Sequence, residues 1–135
     1  MAELLSSLNW VAVIAASLAH FFLGALWYSP VLFAKPWIKI KNMPEDHDGG
    51  STAMFVYTFL LLLIAVISLA LILAAIGTDS AIDGALIGFG AGAGLVFTLA
   101  GTTGIFSDTP IKLHLIDNGY HVAGLTIAGL ILGWL

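Results

Sequence analysis

Toward its C-terminal end the chain reads LHLIDNGYHVAGL, residues 113–125. His114, Asp117 and His121 stand at i, i+3 and i+7, so on a helix they share one stripe. A carboxylate and an imidazole one turn apart can form a charge-assisted hydrogen bond or hand a proton between them. His20 also sits inside an apolar run, four residues after Ala16, the Ala-x-x-x-His spacing of some pigment-binding helices. Two histidines of this kind can ligate a metal or a tetrapyrrole, which makes His20 and His121 the positions to weigh for such a group.

These polar residues lie in a chain whose solvent is lipid. Its 135 residues are 60% hydrophobic and 9% charged, against about 25% charged in an ordinary soluble domain. The mean hydropathy is +1.06. With no cysteine, disulfides, zinc–cysteine sites and a cysteine nucleophile are excluded. Four Lys+Arg and a net charge of −4 exclude a basic nucleic-acid surface. No cofactor and no metal site is expected, and residues 1–135 are expected to form one integral membrane domain.

Four runs approach or exceed the roughly 20 residues that span a bilayer: residues 8–28, 54–76, 81–105 and 110–135. Lipid offers no partner for backbone polar groups, so each must be helical. The expected fold is all-α, a bundle of four transmembrane helices. Ser51 or Thr52 suits the N-cap of the second helix and Gly77 its end. Ser80 to Asp83 reads as a capping box for the third, and Thr109 with Pro110 as N-cap and first residue of the fourth. Lys35, Lys39, Lys41 and Lys112 fall on one side, opposite Glu3, Asp79 and Asp83. Positive charge on the cytoplasmic side then puts linker 29–53 in the cytoplasm and both termini outside, in a multi-pass protein of the cell membrane. Trp10 and Trp134 suit the outer boundary, and Trp27, Tyr28 and Tyr57 the inner one. No basic segment precedes the first run, which reads as a permanent helix rather than a cleaved signal.

Depth brings the polar residues together. His121 lies about 16 Å below the start of the last helix, and His20 about 13 Å from the same boundary at 1.5 Å per residue. Thr98 and Thr102 approach that level from the third helix. The expected cluster is His20, Asp117 and His121 with Asn118, Thr98 and Thr102 nearby, Asp117 hydrogen-bonding His121. An aspartate at mid-helix costs about 2.5–3.5 kcal/mol on insertion scales, and such residues face the interior and pair. A purely structural knot satisfies the same requirement, as does a proton relay or a substrate contact. Alternatively, the turn-like Asp117-Asn118-Gly119 would cap a shorter last helix. In the polar linker, Asp46, His47 and Asp48 could meet one metal ion, but adjacent loop residues rarely converge, and a solvated tether is expected.

The third run carries Gly84, Gly88, Gly90, Gly92 and Gly94, with several pairs four apart, and the fourth adds Gly129 and Gly133. Such small-xxx-small rows let helix backbones approach. No strand precedes them and no GK[ST] follows, so a phosphate loop is excluded. The second run is apolar almost all round and is expected to face lipid or another protein. AKPWIKIK, residues 34–41, mixes lysines with Trp37, Ile38 and Ile40, as a segment resting on headgroups does.

Two stretches carry a family resemblance. LGALWYSPVLFAKPW, with Trp27, Tyr28, Ser29, Pro30, Phe33, Lys35 and Trp37, resembles the W-Y-S-P-x-x-F-G-K-x-W signature of the bacterial membrane family called domain of unknown function 1761. LHLIDNGYHVAGL, with Gly119 and Tyr120, resembles that family's ending, and the four-span layout matches. Ala34 stands where glycine is usual, and Asp117 with Asn118 where asparagine and a small residue are commoner. The resemblance implies a four-helix bacterial inner-membrane protein and no assigned activity. Three functions are then open. An accessory or assembly subunit, packing with other membrane proteins or as a homo-oligomer in the lipid bilayer, leads. A proton- or ion-coupled transporter or channel subunit is the alternative. A membrane enzyme comes last, since no GxSxG or HExxH constellation occurs.

Overall fold

The computed structural model describes residues 1–44 and 50–135. Asp46, His47 and Asp48 of the linker lie outside the described residues. Among those described, all regular structure is helical: α1 (Ala2–Ser7), α2 (Trp10–Trp27), α3 (Ala34–Lys41), α4 (Thr52–Ile76), α5 (Ala81–Ala91), a π-helical turn (Gly92–Val96), α6 (Phe97–Phe106) and α7 (Ile111–Trp134). Four spans are long and apolar enough to cross a membrane: α2, α4, the continuous α5–π–α6, and α7.

Local chemistry sets their ends. Asn9 accepts a hydrogen bond from the Ala12 amide at 3.2 Å, so α2 begins two residues later than the expected Leu8, with α1 split off as a separate short helix. Ser51 caps α4 through the Met54 amide, and Ser80 caps α5 through that of Asp83, both at 3.3 Å. Gly77 ends α4 at φ 81°, a left-handed conformation that glycine adopts without a Cβ clash. The start of α7 falls one residue later than expected. Pro110, with ψ 137°, takes the half-helical position foreseen for Thr109.

α7 is the helix around which the others gather. Val13 and Ala16 of α2, Val66, Leu69 and Ala70 of α4, and Leu125 and Ala128 of α7 form the apolar core. Lipid tails are as apolar as these side chains, so the core is held by van der Waals packing rather than by exclusion from water. The side chain of Asn9 donates to the Leu135 carbonyl at 3.3 Å, which ties both termini to one end of the bundle. α3, the N-terminus of α4, the C-terminus of α6 and the start of α7 stand at the opposite end.

The tightest interface joins α5 to α7 through glycine. A methyl group at Gly84 would land on the Gly129 carbonyl oxygen, one at Gly88 on that of Leu125, and one at Gly133 on that of Ser80. One at Gly92 would come within 2.7 Å of Val122 Cα. Gly84, Gly88, Gly92, Gly129 and Gly133 thus lie where α5 and the π turn meet α7 and Ser80. Gly90 and Gly94 do not: nothing lies within 4 Å of a Cβ built on either, and both face outward.

The π turn resets the facing of α6. An inserted residue rotates the rest of the helix by about 100°. The inward row Gly84, Gly88, Gly92 therefore resumes at Phe97, five residues on, whose ring meets that of His114 at 4.3 Å. Thr98 and Thr102, expected at the polar cluster, are carried to the exposed outer face. Their hydroxyls donate to carbonyls of their own helix, Thr98 to Gly94 at 2.7 Å and Thr102 to Leu99 at 2.7 Å.

Candidate functional site

Where the end of α2 and the start of α3 meet the first half of α7, polar and aromatic groups interlock. Trp27 closes α2, and its indole Nε1 donates to the Ile116 carbonyl at 2.9 Å. The next residue, Tyr28, donates its phenol to Asp117 Oδ1 at 2.7 Å. Ser29-Pro30 then turns the chain out of the helix, since proline disfavours helix for the residue before it, and the Ser29 hydroxyl donates back to the Leu26 carbonyl at 2.6 Å. The turn brings Phe33 onto Trp27, ring centroids 4.8 Å apart. It also lets α3 deliver Trp37, whose Nε1 donates to the same Asp117 Oδ1 at 3.0 Å.

Asp117 is thus held by two donors from the linker end of the bundle. This corrects the expected pairing: the carboxylate oxygen is taken up by Tyr28 and Trp37 rather than by His121. Charge-assisted bonds of this kind offset the cost of a carboxylate near hydrocarbon. Nor does Asp117 cap a shortened last helix, because α7 runs unbroken from Ile111 to Trp134.

Two turns deeper lies His20, 1% exposed and the largest fully buried side chain. Both ring nitrogens are buried, and among the described residues neither has a hydrogen-bond partner. The ring edge bearing Nε2 rests on Gly124, where a Cβ would overlap it. Tyr120 and His121 flank it edge-on, with centroids 5.1 and 5.7 Å away. The Tyr120 phenol reaches past the ring and donates to the His20 carbonyl at 2.7 Å. It can do so because position 24 is glycine, whose Cβ would stand 3.0 Å from that oxygen.

The remaining candidates separate from this cluster. Asn118 Nδ2 lies 2.9 Å from His114 Nδ1 and also donates to the His114 carbonyl at 3.3 Å, beside Phe97 of α6. Thus one stripe of α7 serves two neighbourhoods, His114 with Asn118 toward α6 and His121 toward His20. Gly24, Gly124, Trp27, Tyr28, Trp37 and Tyr120 shape the site, although spacing singled out neither glycine and gave the aromatic residues no place in the cluster. Their partners are some 80 to 100 positions away in sequence, a separation that no local period reports.

For a metal or tetrapyrrole the donor set is poor. No group of three His, Cys, Asp or Glu residues converges among the described residues, and Gly124 occupies the Nε2 edge of His20.

Apart from His20 and Phe97, the residues that interlock here come from the two stretches singled out by resemblance. The family described as protein of unknown function (DUF1761) matches residues 11–133. The chain belongs to this family. No curated protein matches it, and no solved structure does. Within this DUF1761 member the match runs from the first turn of α2 to the last of α7 and so takes in every contact of this site.

Proposed function

We propose that this DUF1761 protein is a non-catalytic accessory or assembly subunit that packs in the bilayer against copies of itself or other membrane proteins. The observation that carries the reading is the outer face of the third span. Counting the residue added by the π turn, Gly90, Gly94, Thr98 and Thr102 fall within about 60° of one another at roughly 100° per residue. All four are exposed, and the two threonines have their hydroxyls satisfied within the helix. An outward row of small residues on a lipid-exposed helix is a surface that a second helix can approach closely. Beside it runs an apolar groove of about 630 Å³ bordered by Phe89, Ala93 and Phe97. Lysines at one end argue for a cytoplasmic linker and external termini, in the inner membrane that the family resemblance implies.

Native mass spectrometry after gentle detergent extraction tests this. Oligomers or complexes with other membrane proteins are expected, and Gly90→Leu with Gly94→Leu should dissociate them while leaving the monomer folded. A wild-type chain that stays monomeric and alone overturns the reading.

A second reading rests on His20. A buried imidazole whose two nitrogens have no partner among the described residues, 5.7 Å from the His121 ring, suits a residue that takes up and releases a proton in a proton-coupled carrier. Proteoliposomes with an imposed pH gradient and an internal pH dye decide it. Flux abolished by His20→Leu or His121→Leu supports it, and absence of wild-type flux under that gradient removes it.

A further inference from the structure

The linker end holds every cation of the chain outside the N-terminal amine: the four Lys+Arg are Lys35, Lys39, Lys41 and Lys112. Three belong to α3, the eight-residue helix AKPWIKIK. The Trp37 bond to Asp117 pins that helix to the first half of α7, with Ala34 buried and Lys35, Lys39 and Lys41 exposed. Lys35 and Lys39, at i and i+4, project side by side, about 5–6 Å apart at Cβ. Lys41 lies over the Trp37 ring at 4.8 Å, which settles it at the edge of the docked face. Among the described residues none of the four lysines is paired with a carboxylate. Asn42, at φ 54°, ends the helix directly after the last lysine.

We propose that α3 is an interfacial helix whose Lys35 and Lys39 clasp the phosphate of an anionic glycerophospholipid, with Lys41 adding to the local field. Ammonium groups at the headgroup level, with no carboxylate partner among the described residues, attract anionic lipid. Two of them on one side of a short helix can both donate to a single phosphate diester. The indole of Trp37 holds the helix at the boundary between bundle and headgroups, the depth at which such a ring with one N–H donor is favoured. Unlike a free polybasic tail, this helix has a fixed place, so the lysines arrive ordered. The lipid is held by lysines of α3 and the outer row belongs to the third span, and neither depends on the other.

Nanodiscs of phosphatidylglycerol and phosphatidylcholine in equal parts, followed by release into the gas phase and native mass spectrometry, test the proposal. Phosphatidylglycerol adducts should outnumber those of phosphatidylcholine, and rising salt before release should erase the preference. Each lysine neutralised should weaken the preference on the order of fivefold, so Lys35→Gln with Lys39→Gln by about 25-fold. Lys112→Gln, outside α3, should have the smaller effect. Equal retention of the two lipids by the wild-type chain, or an unchanged preference in the double variant, overturns it. The same spectra report the oligomeric state, so loss of lipid preference with assembly intact is distinguishable from failure of the assembly reading.

Discussion

The phenol of Tyr28 donates to Oδ1 of Asp117 across 2.7 Å, joining the end of the first span to the first half of the last. Trp37 converges on the same oxygen from a third helix at 3.0 Å. One carboxylate therefore fixes how the linker leaves the bundle, and the position of α3 depends on it.

Tyr28→Phe and Trp37→Phe should each cost about 1.5–3 kcal/mol, the range for hydrogen bonds to a charged group. Asp117→Asn keeps an acceptor and should cost less than Asp117→Leu, which leaves two donors without a partner. Unfolding midpoints in detergent give the ranking, and the double variant Y28F/W37F tests whether the two bonds act together. Equal midpoints for D117N and D117L would remove the carboxylate from the account.

Glycine positions should divide by what their Cβ meets. Gly84→Ala and Gly129→Ala push a methyl into a facing backbone carbonyl, and overpacking of this sort costs about 1–3 kcal/mol. Gly90→Ala, open on its outer side, should leave monomer stability unchanged or raise it by about 0.5–1 kcal/mol through helix propensity. Thermal stability of the monomer reads both, and comparable losses at positions 84 and 90 would contradict the packing described.

The His20 ring and Gly124 should compensate one another. Gly124→Ala alone forces the imidazole to move, whereas His20→Ala with Gly124→Ala restores room for the methyl. Stability of the double variant should exceed that of Gly124→Ala. His20→Leu loses no hydrogen bond to any described group, so as a near volume-conserving change it should cost less than about 1.5 kcal/mol. A larger loss would mean that something else binds the ring nitrogens.

Removing one residue from the π turn should undo its rotation. Deletion of Leu95 turns Thr98 inward by about 100°. A nitroxide on Thr98→Cys, unique because the chain has no cysteine, should collide with membrane-dissolved oxygen more often in the intact helix than in the deletion. Equal collision rates would show that the turn does not set this face.

The sequence alone was sufficient for the four helices, a cap at Ser51 or Thr52, the cap at Ser80, the stop at Gly77 and the glycine rows of the third and fourth spans, but not for which of the third span's five glycines meet α7. Those features depend on hydropathy summed over a span and on residues a few positions apart, and the chain displays both directly. Family membership was legible for the same reason, through short motifs. Tertiary structure decided which polar groups meet. Asp117 could have bonded His121 one turn away, but helix packing placed the phenol of Tyr28 and the indole of Trp37 nearer the same oxygen. Thr98 and Thr102 reach the depth expected for the cluster, yet beyond the π turn they face outward. Gly24 and Gly124 acquire their roles only from the aromatic rings opposite. A local pattern gives each side chain a direction on its own helix, while the partner it finds depends on the rotation and approach of another helix, which no spacing in the chain encodes.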